Sequence, residues 1–439
     1  MKAGTWFNRA VGLSLFAALL TPRAEAQPCA SGFDVRNLDD SAISATIKSR
    51  IHGTPGPIIS TSSSQFPTGK TVVIRAASQD FPPNWAASIS YVDGIFYGTG
   101  ITGKSLRGYF QRNSYGQFLM SKGATPSYVT LAKKLTDYSP GIEANVSYLQ
   151  DVLKLANVNW AALDTNSDGV ISIKEAQIVI LIPNATANPP TGFASVRVVN
   201  AGSVVTPQGT FTFSNRRIVY FSLKAASEPD YNDNPIRVLA TVAHELGHAF
   251  FGLPDRYGAN TGTGEYDMMG SQLSNKWVHL PMHDKIKIGW IAPKIIQAHY
   301  GDCLQFVPAE LYPAALVIIP ASLFMTNPLS EYWIVESRIE GYDPDGYDED
   351  LPDDGLAIMN VSTGTAPGGH DDLRLVDFSK AALDPDLYNN PGNNALFKIN
   401  PADPDRILLD RNGQWNLLWF QNVSDPAANY GGLFMYAEF

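Results

Sequence analysis

The chain has 439 residues, a formal net charge of −10, 44% hydrophobic residues and only 17% charged ones. That length allows one large or two ordinary domains with a substantial core, and the composition is that of a folded protein, not a disordered one. The acidic balance, with no basic block to offset it, argues against a nucleic-acid partner.

In chain order, an export pattern comes first. Lys2 and Arg9 precede the apolar run AVGLSLFAALL, and Ala24-Glu25-Ala26 puts small residues where a signal peptidase reads them. The expectation is a signal peptide over 1–26, cleavage before Gln27 and a secreted, extracellular protein. The apolar run is too short for a hydrocarbon core of about 30 Å, and no other stretch is long enough, so no stable membrane anchoring is expected. The two cysteines are Cys29 and Cys303. In an oxidising compartment a Cys29–Cys303 disulfide is the default pairing; a Cys29 thiolate capping a catalytic metal is the alternative. Residues 27–66 are polar and turn-rich, and read as a loosely structured lead-in or a pro-segment that keeps the protein latent until cut.

From Lys70 the pattern changes. KTVVIRAA reads as a buried strand, and SLRGYFQRNSYGQFLM as a short amphipathic helix, a glycine-containing turn and another strand. ANVSYLQDVLKLANVNWAAL is expected to be helical, followed by strands at QIVILIP and RRIVYFSLKA. In NPIRVLATVAHELGHAFF, Asn234 suits an N-cap and Pro235 the first helical position. Ile236, Leu239, Ala243, Leu246 and Phe250 recur at helical spacing, which makes one helix with a buried face. After about residue 300, ALVIIPASLF, EYWIVESRI, GLAIMNVS, WNLLWFQNV and GLFMYAEF are strand-like runs in the rhythm of a β-sandwich. YDPDGYDEDLPDD is read as a solvated acidic loop, with a further calcium site as the sharper alternative.

Two segments carry chemistry. His244 and His248 lie four apart on the expected helix, one turn above each other, so both imidazoles can reach one zinc ion. Glu245 can reach a water on that metal and act as general base while the metal polarises a carbonyl. A catalytic zinc wants a third protein ligand. Asp255, after the turn at Gly252, is the leading candidate, with Glu265 the main rival and His279 and His283 further alternatives. Met269, beside Gly270, is placed like the methionine that floors a metzincin zinc site.

The second segment runs from Asp164 to Glu175 and matches the twelve-residue EF-hand loop. Asp164, Asn166 and Asp168 offer side-chain oxygens, Val170 a carbonyl, Ser172 a direct or water-mediated oxygen, and Glu175 two more. A lone site leading into a strand suggests structural calcium, not a switch.

Taken together these residues resemble the immune inhibitor A family of secreted metallopeptidases. The resemblance covers roughly residues 68–375 and rests on DTNSDGVISIKEAQIVILIP, HELGHAFFGLPDRYG, EYDMMG, KIKIGW, EYWIVESRIEGYD and LPDDGLAIMNV, in that order. It implies an α/β (α+β) zincin-like catalytic domain over 67–298, with a mixed sheet and the HExxH helix, followed by an all-β, sandwich-like domain over 299–439. It also implies zinc on His244, His248 and Asp255, Glu245 as base, structural calcium, and protein or peptide substrates. A monomer is expected. In that family glycine falls three residues after the second histidine. Here Phe251 intervenes, so the helix is expected to end about one residue later. The competing function is a pseudo-protease that binds an extracellular protein or glycan. Asn145, Asn184, Asn360 and Asn422 begin glycosylation sequons, relevant only in a eukaryote.

Overall fold

The computed structural model describes residues 33–41, 51, 69–80, 89–98, 104–124, 127–138, 145–182, 194–213, 216–222, 235–257, 262–270, 277–297, 303–319, 331–349, 351–364, 371–376, 405–409, 415–421 and 435–438. The signal peptide, Cys29, Asn184, Asn234 and Asn422 lie outside them.

After the short strand β1 (Phe33–Asp34) come β2 (Lys70–Ala77), helices α1 (Ile89–Tyr97) and α2 (Leu106–Asn113), and strands β3 (Ser121–Lys122) and β4 (Ser127–Thr130). Helices α3 (Val146–Leu155) and α4 (Trp160–Leu163) lead to β5 (Gln177–Ile182) and β6 (Ala194–Val199). A hairpin of β7 (Gly202–Thr206) and β8 (Gly209–Phe213), then β9 (Arg216–Ser222), precedes the long helix α5 (Pro235–Phe251).

These strands form a sheet in the order β3-β2-β5-β9-β6, with β4 also on β2. All pairings are parallel except that of β6 with β9. A parallel sheet is buried on both faces, and the side chains of β2 and β5 alternate accordingly. Val73, Val179 and Leu181 join the core under α1, α2 and α5. Val72, Ile74, Ile178 and Ile180 face the core built by α3, α4 and the β7–β8 hairpin. The mixed α/β class expected from the sequence is present.

One expected helix is two. Ala156 turns to extended backbone, and Asn159 starts α4 afresh by accepting from the Ala162 N–H. Asn145 caps α3 by accepting from the Tyr148 N–H.

Helix α6 (Met282–Ile288) leads into β10 (Lys294–Gln297), β11 (Cys303–Phe306), β12 (Leu316–Ile319), β13 (Glu331–Arg338), β14 (Gly355–Ser362) and β15 (Asp372–Leu375). The last strands are β16 (Asp405–Leu409), β17 (Trp415–Gln421) and β18 (Met435–Glu438). They form two five-stranded sheets, β10-β12-β13-β14-β15 and β1-β11-β18-β17-β16.

The expected boundary near 298 cuts through the first of these. Strand β10 lies before it in sequence yet pairs in parallel with β12. The core is also continuous across it: Phe110 and Phe250 share one cluster with Val317, Ile334 and Met359. This sheet therefore packs with helices α2 and α5 of the preceding half; the apolar runs alone could not show which surface they cover.

Of the lead-in over 27–66, residues 33–41 and 51 are described. Phe33 pairs with Leu304, which brings the N-terminal backbone beside the strand containing Cys303; the disulfide itself lies outside the described residues. Leu38 and Ile51 are buried, Ile51 in the same core as Phe96. Asn360 is fully buried and its amide donates to Glu331 (2.6 Å), which leaves that sequon no room for a sugar.

The acidic loop is not solvated throughout. Asp343, Asp348 and Asp353 are buried. Asp343 sits 3.3 Å from Arg112 and 3.1 Å from His279, while Asp348 accepts a forked pair of bonds from Arg338. The Tyr347 hydroxyl donates to Ser105 O (3.1 Å) and accepts from Ser105 N–H (3.2 Å), strapping the loop to the start of α2. Asp348 is drawn inward by the buried Arg338 ten residues before it, and Asp343 by Arg112 and His279, which are remote in sequence.

Candidate metal centre

Helix α5 ends at Phe251. Phe251 is helical and buried, in edge or tilted contact with Phe110, Phe118 and Trp290 at 5.8, 5.0 and 5.0 Å between centroids. Gly252 follows with φ +70°, a left-handed conformation that glycine adopts without a Cβ penalty. Its N–H donates to His248 O (3.0 Å), and that of Leu253 reaches back to Gly247 O (3.5 Å). Phe251 thus anchors the helix end in the core while the turn returns the chain towards the histidines. Replacing Phe251 by alanine is expected to cost about 3–5 kcal/mol, measured by urea unfolding.

The turn brings Asp255 to both imidazoles. Its Oδ1 lies 3.0 Å from His244 Nε2 and 2.9 Å from His248 Nε2, and the two Nε2 atoms are 3.1 Å apart. Each ring is fixed from behind: His244 Nδ1 donates to Met268 O (2.9 Å) and His248 Nδ1 to Leu253 O (2.5 Å). A carbonyl can only accept, so each Nδ1 carries the proton and each Nε2 turns its lone pair inward. Two lone pairs and a carboxylate oxygen then converge on one point, an arrangement that repels unless a cation is shared. Tetrahedral zinc, with bonds of about 2.0–2.1 Å, sets neighbouring ligand atoms about 3.3 Å apart, so the observed spacing fits zinc with little movement. Among the described residues this is the one group of three or more His, Cys, Asp or Glu side chains that converges at metal-binding distance.

A proton can be that shared cation, and zinc would have to displace it. Burial opposes charge on His244, but the bonds with Asp255 and Met268, together with the nearby Glu245 carboxylate, raise its pKa. Burial likewise opposes ionisation of Asp255, yet the two imidazoles hold its carboxyl well below the usual range. Glu245 is half-buried on α5, one residue from His244.

The floor is the Met268–Met269 turn. A Cβ on Gly247 would lie 3.0 Å from Met269 Sδ, so glycine within the helix motif lets the buried methionine pack directly beneath it. Arg256 N–H donates to Met269 O (2.8 Å), and Met269 N–H to Asp267 Oδ1 (2.8 Å). The Arg256 guanidinium is buried between Asp267 and Asp284. Burial works against ionisation of Asp284, but Arg256 outweighs it and lowers the pKa from 3.8 to about 2. A carboxyl with a depressed folded pKa stabilises above its unfolded value and loses that contribution as pH falls. The stability supplied by Asp284 is therefore expected to be complete above about pH 4 and to disappear towards pH 2. Urea unfolding across that range is expected to show a shallower pH slope in Asp284→Asn than in wild type.

The other candidate ligands do not join the group. Glu265 sits in the single 3-10 turn Gly264–Tyr266. His279 is buried, with Nε2 3.1 Å from Asp343 Oδ2, and burial beside Lys285 and Arg338 pushes its pKa well below the ordinary value. His283 lies between Asp284 (3.1 Å) and Asp371 (3.2 Å). Arg256, Asp267 and Asp284 were not singled out by sequence reasoning. The signal available was the charge within GLPDRYG, EYDMMG and MHDKIKIGW, each beside an apolar run.

In the EF-hand-like loop, Asp164 accepts from the N–H of Asp168 (3.1 Å) and Gly169 (2.9 Å), and Asn166 from that of Asp168 (3.1 Å). Asp168 accepts from Val170 N–H (2.7 Å), and Glu175 from the N–H groups of Thr165 (2.8 Å) and Ser172 (2.9 Å). The side-chain oxygens are thus held by the loop's own N–H groups. The loop's three carboxylates do not converge as His244, His248 and Asp255 do. The loop is pinned to the hairpin by Thr212 N–H to Gly169 O (2.8 Å) and Ile171 N–H to Thr212 O (3.0 Å). Only a turn precedes β5, as expected.

Compared with known proteins, the chain matches no protein-family model and no curated protein sequence.

Proposed function

We propose that this protein is a secreted zinc endopeptidase of the immune inhibitor A type, with a zincin-like catalytic half. The observation that carries the reading is the convergence of His244 Nε2, His248 Nε2 and Asp255 Oδ1 within about one zinc coordination sphere. Zinc held by these residues would supply Lewis-acid polarisation of a scissile carbonyl and lower the pKa of water. Glu245 would serve as the proton acceptor and later the proton donor to the departing amine. His244 and His248, each fixed through Nδ1, keep their Nε2 lone pairs aimed during turnover.

Peptides as substrates are supported by the edge of the first sheet. Strand β6 runs antiparallel to β9 and lies beside α5, and no strand pairs with its other side among the described residues. An extended peptide can add to such an edge through main-chain hydrogen bonds. Calcium in the 164–175 loop acts as a staple between that loop and the β7–β8 hairpin. The export pattern around Lys2, Arg9 and Ala24–Ala26 supplies the extracellular location.

The test is cleavage of an unfolded protein by the purified chain, before and after zinc chelation and zinc restoration. Cleavage that stops and returns supports the proposal. Full zinc occupancy without cleavage favours the binding-module reading instead. Calcium removal is expected to lower the melting temperature and protease resistance without stripping zinc; unchanged stability would sink the staple.

A further inference from the structure

The third ligand is the least buried of the three, on a short loop after Gly252. The residue that follows it is the opposite: Arg256 is only 5% exposed. Its backbone N–H donates to Met269 O, and Met268, one residue earlier, accepts from His244. Its guanidinium donates from Nη1 to Asp267 Oδ2 (2.9 Å) and Asp284 Oδ2 (2.7 Å), and from Nη2 to Asp284 Oδ1.

Both carboxylates are themselves fixed. Asp267 also accepts from Met269 N–H and Thr263 Oγ1, which holds the turn under the zinc helix. Asp284, on α6, contacts His283, whose other nitrogen meets Asp371 at the entry to β15. Asp371 in turn pairs with Lys287 (2.8 Å) and accepts from Gly364 N–H (3.1 Å). A continuous polar chain thus runs from the metal loop to the β14–β15 turn, all of it outside the ligand set.

We propose that Arg256 is the positioning residue of the metal centre: by clamping the backbone after Asp255 to the methionine turn and α6, it holds the Asp255 carboxylate on the two imidazoles. This rests on the zinc reading above. A guanidinium suits the role because its planar fork meets two carboxylates at fixed angles; a lysine at the same place is a point charge.

The test is a double-variant cycle on the zinc dissociation constant of the full chain, with apo-protein melting temperature as a second readout. Arg256→Lys keeps the buried charge but loses the fork. It is expected to weaken zinc binding by about 10- to 100-fold in the wild-type background. In an Asp255→Ala background the same change is expected to alter zinc affinity by no more than about twofold, because the carboxylate it positions is gone. A purely structural role would weaken zinc equally in both backgrounds, and that result, or unchanged affinity in Arg256→Lys, overturns the proposal. If Arg256→Lys does not fold, Asp284→Asn carries the same cycle with the same expected outcomes. Wild type without stoichiometric zinc, or Asp255→Ala binding zinc as tightly as wild type, defeats the metal-centre reading itself and the proposal with it.

Discussion

Glu245→Gln is expected to keep zinc and lose hydrolysis, by about 10²–10⁴-fold in kcat. The side chain is isosteric and half-buried, and α5 is fixed by neighbours that do not depend on its charge: Leu246, Ala249 and Phe250 are buried in the core. The His244 and His248 imidazoles are held by Met268 O and Leu253 O, which glutamine leaves untouched. What glutamine removes is the proton acceptor. The variant should therefore show wild-type zinc content and melting behaviour beside near-complete loss of turnover. Turnover close to wild type would mean that another group takes the proton, and the role given to Glu245 would be wrong.

Arg338→Met should be among the most damaging single changes to stability. Arg338 is fully buried on β13 and donates three bonds to Asp348, at 2.8, 2.8 and 3.1 Å, and one to Tyr266 O at 3.2 Å. Glu310 and Glu336 lie 3.6 and 3.7 Å away, also buried. Burial already raises the pKa of both glutamates, with Arg338 opposing that shift. Methionine would fill much of the volume but leave three buried carboxyl groups without this cation. Breaking a buried pair from one side costs about 3–5 kcal/mol, most of it the stranded partner. Adding Asp348→Asn should recover part of the loss in urea unfolding. A single variant within about 1 kcal/mol of wild type would show that Lys285 or water already neutralises the cluster.

Legibility followed the range of each interaction. The strands β2, β5, β9, β12, β13, β14, β17 and β18 stand where apolar runs predicted them, because burial between turn residues is a local signal. The helix motif and its glycine turn were equally readable, since His244, His248, Gly252 and Asp255 span barely three helical turns of sequence. The choice among Asp255, Glu265, His279 and His283 was not readable. It depends on where Arg256 finds Asp267 and Asp284, and on where His279 finds Asp343, pairings separated by 11, 28 and 64 residues.

The acidic run was misread for the same reason. Asp348 is inside because Arg338 and the His279 N–H are inside, and composition counts charges without pairing them. The break between α3 and α4 was missed because Asn159 is a weak interruption within a good helical pattern, until its side chain is seen capping the second piece. The domain boundary failed because a sheet's partner face is a tertiary fact: β10 joins β12 across the place where composition changes.

Whether His244, His248 and Asp255 hold a catalytic zinc is decided by anomalous scattering from crystals of the native protein, recorded on both sides of the zinc absorption edge. One zinc peak is expected, bonded to His244 Nε2, His248 Nε2 and an Asp255 oxygen at about 2.0–2.2 Å. A zinc-loaded crystal whose peak lies elsewhere, or whose third ligand is Glu265 with Asp255 turned away, would contradict this assignment.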